Sequence, residues 1–291
     1  MDIRPECVPC LLKRVLFQAR LAGNGSEFKA LSAALSAYAE EFAEGRNSAE
    51  VATEVHRKAY AAMGVSDPYL DLKMRADEAA GSLLAKAGEF VDGSEDRLRA
   101  ALTVSLAGNI MDFGQSSSID GPDDFAGMFD GLLAQGIGSD DTDLLRKVLL
   151  DPGDIIFIFD NCGESQLDKI LIRELKKTGK KVIGVVRGMP ILNDVTMEDA
   201  LRIGLDAELD GIVGTGAFAI GIPSNVPDDI SDALSDSCVV IAKGMANYES
   251  LGNRDIGVPV AFVLRAKCVP VADSLNVDMG TNVVRVAYVR N

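Results

Sequence analysis

The stretch GDIIFIFDNCGESQLDKILIRELKK, residues 153 to 177, decides the fold. Five apolar residues, Ile155 to Phe159, form a run with the length and β-branched, aromatic character of a strand buried on both faces. The run ends on Asp160 and Asn161, passes Cys162, Gly163 and Glu164, and enters a segment whose apolar residues recur three and four apart, as in an amphipathic helix. Strand, polar turn and helix in that order open a parallel α/β unit.

Downstream the same alternation repeats through KKVIGVVRG, TMEDALRIG, DGIVG, DDISDALSDS and CVVIAKG, and PVAFVLRAKC and NVVRVAYVR supply two more strands with an antiparallel edge in view. Upstream, from about residue 8 to 113, the periodicity is helical in CLLKRVLFQARLA, FKALSAALSAYAEEFA, AEVATEVHRKAYAAMG, LDLKMRADEAAGSLLAKAGEFV and EDRLRAALTVSLAGNIMDF. Gly64 closes one helix, and Ser66 and Asp67 precede Pro68 at the start of the next. Three parts are expected: a helical region over 1–113, a Gly-, Ser- and Asp-rich connecting segment over 114–153 with short helices near 122–134 and 140–149, and a Rossmann-like, mostly parallel α/β domain over 154–291.

Composition bounds the function. The 291 residues are 47% hydrophobic, enough for a continuous core. With 29 basic and 44 acidic residues the formal charge is -15, a field that repels nucleic acid and anionic membranes. No apolar run approaches the roughly 20 residues that cross a bilayer, and MDIRPECVPCLLKR lacks a signal-peptide core, so a cytoplasmic protein is expected. Five cysteines, an odd number, argue against a disulfide framework. The one histidine, His56, lies in a helical pattern and reads as structural; Ser-His-Asp, Cys-His and multi-histidine metal chemistry are excluded by count.

In an open parallel sheet, ligands bind beyond the carboxyl ends of the strands. Here those ends carry Asp160 and Asn161; Asn193 and Asp194; Gly214, Thr215, Gly216 and Ala217; and Lys243, Gly244 and Asn247. Each group has an ordinary account taken singly, as a cap, a turn or a surface charge. Four together point to a site. Asp160, Asn161 and Asp194 offer hard oxygens suited to Mg or Mn, Lys243 a point charge for phosphate, and Gly214 to Gly216 backbone N–H groups. GTGAFAIG is not a Walker A loop, and Gly221 comes too late for a dinucleotide fingerprint; Ser224 and Asn225 are weaker pocket candidates. Asn109 and Asp112, three apart, are expected on one face of the last helix of the helical region, towards the cleft. Cys7 and Cys10, with Cys268 as a third thiol if the termini meet, read either as buried packing residues or as a metal or redox group.

Taken in order, GNIMD (108–112), DNCGE (160–164), LNDVT (192–196), GTG (214–216) and KGMAN (243–247) resemble the metal-dependent damage-control phosphatases, the domain of unknown function 89 or ARMT1-like family; PECVPC and RAKC resemble its short, cysteine-bearing microbial subgroup. The resemblance implies a helical region packed on a Rossmann-like domain, with a divalent metal (Mn, Mg, Co or Ni) between them. It also implies hydrolysis of phosphate monoesters of small metabolites, such as sugar phosphates or damaged cofactor precursors. By the same resemblance Asp160, Asn161 and Asp194 hold the metal, Lys243 contacts phosphate, and Asn109, Asp112, Glu164, Gly214, Thr215, Gly216 and Asn247 face the substrate. Two competing expectations are an S-adenosylmethionine or nucleotide-binding transferase on the same sheet, and a metal or phosphometabolite binding module without turnover.

Overall fold

The computed structural model describes residues 1–114 and 121–287; positions 115–120 of the connecting segment and 288–291, the end of the last expected strand, lie outside the described residues. The first third of the chain forms α1 (Cys7–Ala22), α2 (Glu27–Glu41), α3 (Ser48–Met63), α4 (Leu70–Gly81), α5 (Leu84–Asp92) and α6 (Arg97–Gly108). The run LDLKMRADEAAGSLLAKAGEFV is therefore two helices; it breaks at Ser82 and Leu83, just after Gly81, where helix propensity is low. The connecting segment holds α7 (Phe125–Gln135), α8 (Thr142–Val148) and, between them, an unanticipated two-residue strand, β1 (Ser139–Asp140).

The remainder alternates as expected: β2 (Asp154–Ile158), α9 (Glu164–Lys176), β3 (Val182–Val186), α10 (Met197–Arg202), β4 (Gly211–Gly214), α11 (Asp228–Ser235), β5 (Ser237–Lys243), α12 (Gly244–Leu251), β6 (Val260–Arg265), α13 (Val269–Leu275) and β7 (Asn282–Ala287). The last two helices went unread because each follows its strand almost without a turn.

The strands form one sheet in the order β1-β7-β6-β5-β2-β3-β4. All pairings are parallel except β6 with β7, and that antiparallel pair sits inside the sheet because β1 adds beyond β7. Along β2 and its end, Ile155, Phe157 and Phe159 enter one apolar core and Ile156 and Ile158 the other, so the sheet is covered on both faces. The first core runs from Tyr69, Leu72 and Leu102 of the helical region through α9 to Val284 of β7, while α1, α2 and α3 share a third core around Val15, Ala34 and Val55. Among the described residues no helix is long and apolar enough to cross a membrane.

His56 has no exposed surface; its Nδ1 meets Gln18 Oε1 at 3.0 Å and its Nε2 has no partner. Burial, with a smaller push from the Arg14 charge, lowers its pKa from 6.5 to about 3, so the native ring stays neutral. The unfolded chain binds a proton below 6.5 that the native state refuses. The contribution of the neutral ring is therefore complete above pH 6.5 and falls as pH drops towards 3, by up to about 1.4 kcal/mol per unit. Urea denaturation across pH 7 to 4 should show this slope in the wild type and a shallower one in His56→Gln; identical slopes would refute the assignment.

Candidate active site

From β2 the chain steps outward to β3 and β4, then returns to the other flank of β2 with β5 and β6. Strand order reverses between β2 and β5, and the crevice at such a switch point is where an open α/β sheet binds ligands. Asp160 and Asn161 leave β2 there, and Lys243 ends β5 beside them. The loop after β3 folds back over this point. Val195 N–H donates to Asp160 O at 2.8 Å, Arg187 N–H to Val195 O at 2.8 Å, and Cys162 N–H to Asn193 O at 2.8 Å. Asp194 is thereby set opposite Asn161 in an isolated bridge. The helical region clamps the loop: Leu192, with φ 51°, donates its N–H to Tyr60 Oη at 3.1 Å, and Asn193 Nδ2 donates to Met111 O at 2.8 Å.

One glycine makes the approach of β5 to β2 possible. Gly244 has φ +73°, and a Cβ there would lie 1.8 Å from Asp160 Oδ2. The KG of KGMAN is thus a steric requirement of the Asp160 carboxylate as much as a charge.

Burial raises the pKa of Asp160 well above the usual carboxylate value; the charges of Asp194 and Glu164 add to this and Arg187 opposes it. Asp194 is also raised by burial, against the pull of Arg187. Arg187 Nε donates to Asp194 Oδ2 at 2.7 Å, its Nη2 lies 3.6 Å from Asp160 Oδ1, and its Nη1 donates to Asn247 Oδ1 at 3.1 Å. Asn161 Nδ2 donates to Asp160 Oδ2 at 2.8 Å, which leaves the amide oxygen for another partner.

These groups open on a cavity of about 190 Å³, whose polar wall includes Arg14, Asp112, Asp160, Asn161, Asp194 and Glu249. Its remaining lining is largely apolar, with Leu11, Leu192, Ile220 and Met245. Cys7, Cys10 and Cys268 line the same cavity as free thiols, each raised in pKa by burial first. The termini do meet. Among the described residues no group of three or more His, Cys, Asp and Glu could hold a metal, so a cation here would rest on two carboxylates and the Asn161 amide.

Other expected site residues lie behind this wall. Lys243 has no exposed surface; its Nζ donates to Glu164 Oε1 at 2.5 Å and Asp168 Oδ1 at 2.9 Å, where the phosphate-contact expectation placed it facing substrate. Glu164 Oε2 accepts from Asn109 Nδ2 at 2.8 Å and Asn161 Nδ2 at 2.9 Å, so Glu164 and Asn109 brace the loop after β2. Asn247 Nδ2 donates to Phe159 O at 3.0 Å. Gly214 ends β4, two strands away from β2, with Thr215 and Gly216 just after it, and the three form no part of the cavity wall; Thr215 Oγ1 accepts from Gly188 N–H at 2.9 Å. Ser224 lines a separate cleft with Arg57 and Arg254. Asn109 and Asp112 do not share a helix face. Asn109 caps α6, and Asp112 sits beyond it in the following turn.

Sequence reasoning missed Arg14, Arg187, Glu249 and Lys267. Arg187 stands directly after β3 and Lys267 just past β6, so the strand-end rule reaches both. Arg14 shares the buried stripe of α1 with Gln18, a polar pair on an otherwise apolar face. Glu249 carried no signal, since α12 itself was unread.

Comparison with known proteins places the chain in a family. The damage-control phosphatase ARMT1-like domain matches residues 3–283. The chain is similar to a damage-control phosphatase of Archaeoglobus fulgidus, 36% identical over 98% of this chain and 99% of the relative. It is similar to another from Pyrococcus horikoshii, 28% identical over 96% of each. A crystal structure of a DUF89 family protein from Pyrococcus horikoshii superposes with a TM-score of 0.85 at 27% identity, over 98% of each chain.

Two substitutions separate the roles of the buried groups. Gly244→Ala should depress turnover about a hundredfold by displacing Asp160, whereas Gly179→Ala, at φ +80° with open space around it, should leave turnover unchanged; equal activities would refute the steric account. Lys243→Met strips the cation from buried Glu164 and Asp168 and should cost about 3 to 5 kcal/mol in urea denaturation.

Proposed function

We propose that this chain, which belongs to the damage-control phosphatase ARMT1-like family, is a metal-dependent phosphatase that hydrolyses phosphate monoesters of small metabolites, sugar phosphates or related damaged or excess compounds among them. The observation that carries this reading is the convergence of Asp160, Asn161 and Asp194 on one cavity at the sheet's switch point. A cavity of about 190 Å³ suits a small metabolite.

The donor set fits a hard divalent cation: Asp160 and Asp194 are held together although burial and their mutual repulsion disfavour two charges, and the Asn161 oxygen stands beside them. Asp160, Asn161 and Asp194 would hold it, drawn from Mg, Mn, Co or Ni. When bound, the cation supplies Lewis-acid stabilisation of the phosphoryl oxygens and the attacking group. The chain's own residues do the rest. Arg187 keeps both carboxylates aimed at one point, Glu164 fixes Asn161, and Lys243 holds Glu164. The apolar lining excludes water around the reacting phosphate and strengthens every charge interaction there.

The transferase reading is not favoured, since the relatives over the whole chain are named damage-control phosphatases. Five unpaired cysteines suit a reducing compartment, which supports a cytoplasmic location.

The test is phosphate release from a panel of sugar phosphates and related monoesters with Mg, Mn, Co or Ni. Wild type should turn over at least one substrate with at least one metal, and Asp160→Ala and Asp194→Ala should fall to background. Full activity in both variants, or hydrolysis that survives a chelator, would sink the proposal.

A further inference from the structure

Two helices line the cavity lengthwise. On α12, Met245, Ala246 and Glu249 share the face turned to it, and on α1 a stripe three and four residues apart, Cys7, Cys10, Leu11 and Arg14, does the same. Gly244, the first residue of α12, is pressed against Asp160. Glu249 stands five residues further on, about 7 to 8 Å along the axis at the usual rise per residue. Its backbone is pinned, since its C=O accepts from the Met1 amino group at 2.6 Å and from Asn47 Nδ2 at 3.2 Å. The half-buried side chain opens on the cavity, and among the described residues its carboxylate takes no hydrogen bond or ion pair. Cys7, Cys10 and Cys268 surround it: burial raises the pKa of all three thiols, and the Glu249 charge adds to the rise. The cavity thus has a far end, away from Asp160, built from one carboxylate and three neutral thiols.

We propose that Glu249 is the contact for the substrate's leaving group, and that this end of the cavity selects alcohols that carry further hydroxyl groups, as in a sugar or polyol phosphate. The assignment rests on the phosphatase reading and adds the alcohol subsite to it. With the phosphate held towards Asp160 and Asp194, a group about 7 to 8 Å along α12 meets atoms several bonds into the leaving group. Neutral thiols and the side chains of Leu11 and Met245 are poor acceptors, and Glu6 of the same wall is exposed, so Glu249 is the strong acceptor at that end. Burial raises its pKa to about 7, against the pull of the Met1 amino group and Arg14. Near neutral pH the carboxyl group therefore both accepts and donates, as a hydroxyl does. An ammonium would match the anionic form alone and would meet the Arg14 charge. A leaving group without hydroxyls would strip water from the carboxylate and return nothing, and that asymmetry is how a site built for hydrogen bonding discriminates.

The experiment measures kcat/KM for the sugar phosphate that wild type hydrolyses fastest and for phenyl phosphate, whose leaving group has no further hydroxyl. The ratio of the two is compared in wild type, Glu249→Met and Glu249→Asp, with metal affinity followed by calorimetry. Glu249→Met should lower the ratio about tenfold or more while changing metal affinity less than about twofold. Glu249→Asp, which draws the carboxylate back by one methylene, should fall between. An unchanged ratio in a folded Glu249→Met overturns the proposal, as does a loss that follows metal affinity. If Glu249→Met does not fold, Glu249→Asp decides: a lowered ratio supports the contact, and the wild-type ratio overturns it. A wild-type preference for aminoethyl phosphate that Glu249→Met abolishes would make the ligand an ammonium and overturn the hydroxyl assignment. Should wild type hydrolyse no monoester, the catalytic reading falls and calorimetric titration decides the subsite. Tighter binding of a sugar phosphate than of inorganic phosphate, lost in Glu249→Met, upholds it; no such difference overturns it.

Discussion

The Lys243 ammonium, enclosed by Glu164, Asp168 and the Ser105 carbonyl, is the contact on which the site depends. It joins the end of β5 to the start of α9 and the body of α6, and through Glu164 it reaches Asn109 and Asn161. A charge without water is costly, so every partner must be in place, and burial raises Asp168 to about 6 even against the lysine beside it. A half-satisfied network of this kind is worse than an apolar core, whereas a satisfied one specifies a single arrangement. The helical region and the sheet are held in one register by groups that never touch the cavity.

That register assembles the cavity wall. Asp160 and Asp194 meet at the ends of β2 and β3 with Arg187 between them, while Arg14 of α1 and Lys267 past β6 meet at Asp112 in the turn after α6. Each group draws on a different part of the chain, so the wall exists only when the parts are packed.

Particular residues show how far the chain could be read in advance. The strand run Ile155 to Phe159 and the helix after it were legible because burial on both faces demands an unbroken apolar strand and a solvent-facing helix demands a period of 3.6. That Asp160, Asn161 and Asp194 meet at one cavity was legible because the crevice of an open α/β sheet lies beyond the carboxyl ends of its strands. Lys243 was misplaced by the same rule, since a strand-end lysine can turn towards the cavity or back under α6, and only packing decides which. Gly214 to Gly216 failed because strand order is not written locally: β4 is third in this part of the chain yet ends the sheet. Asn109 and Asp112 were wrongly joined on one helix face, because α6 ends at Gly108, before either of them.

The sequence by itself determined the element types, the parallel sheet, the absence of histidine chemistry and the oxygen donors of the candidate metal site. These follow from local periodicity and from residue identity. Tertiary structure decided which side chains share a cavity and which brace it from behind. Arg14, Asp112 and Lys267 are separated by 98 and 155 residues along the chain, and their meeting depends on how α1, α6 and β6 pack. No local pattern encodes a contact whose partners are brought together only when the shared core closes.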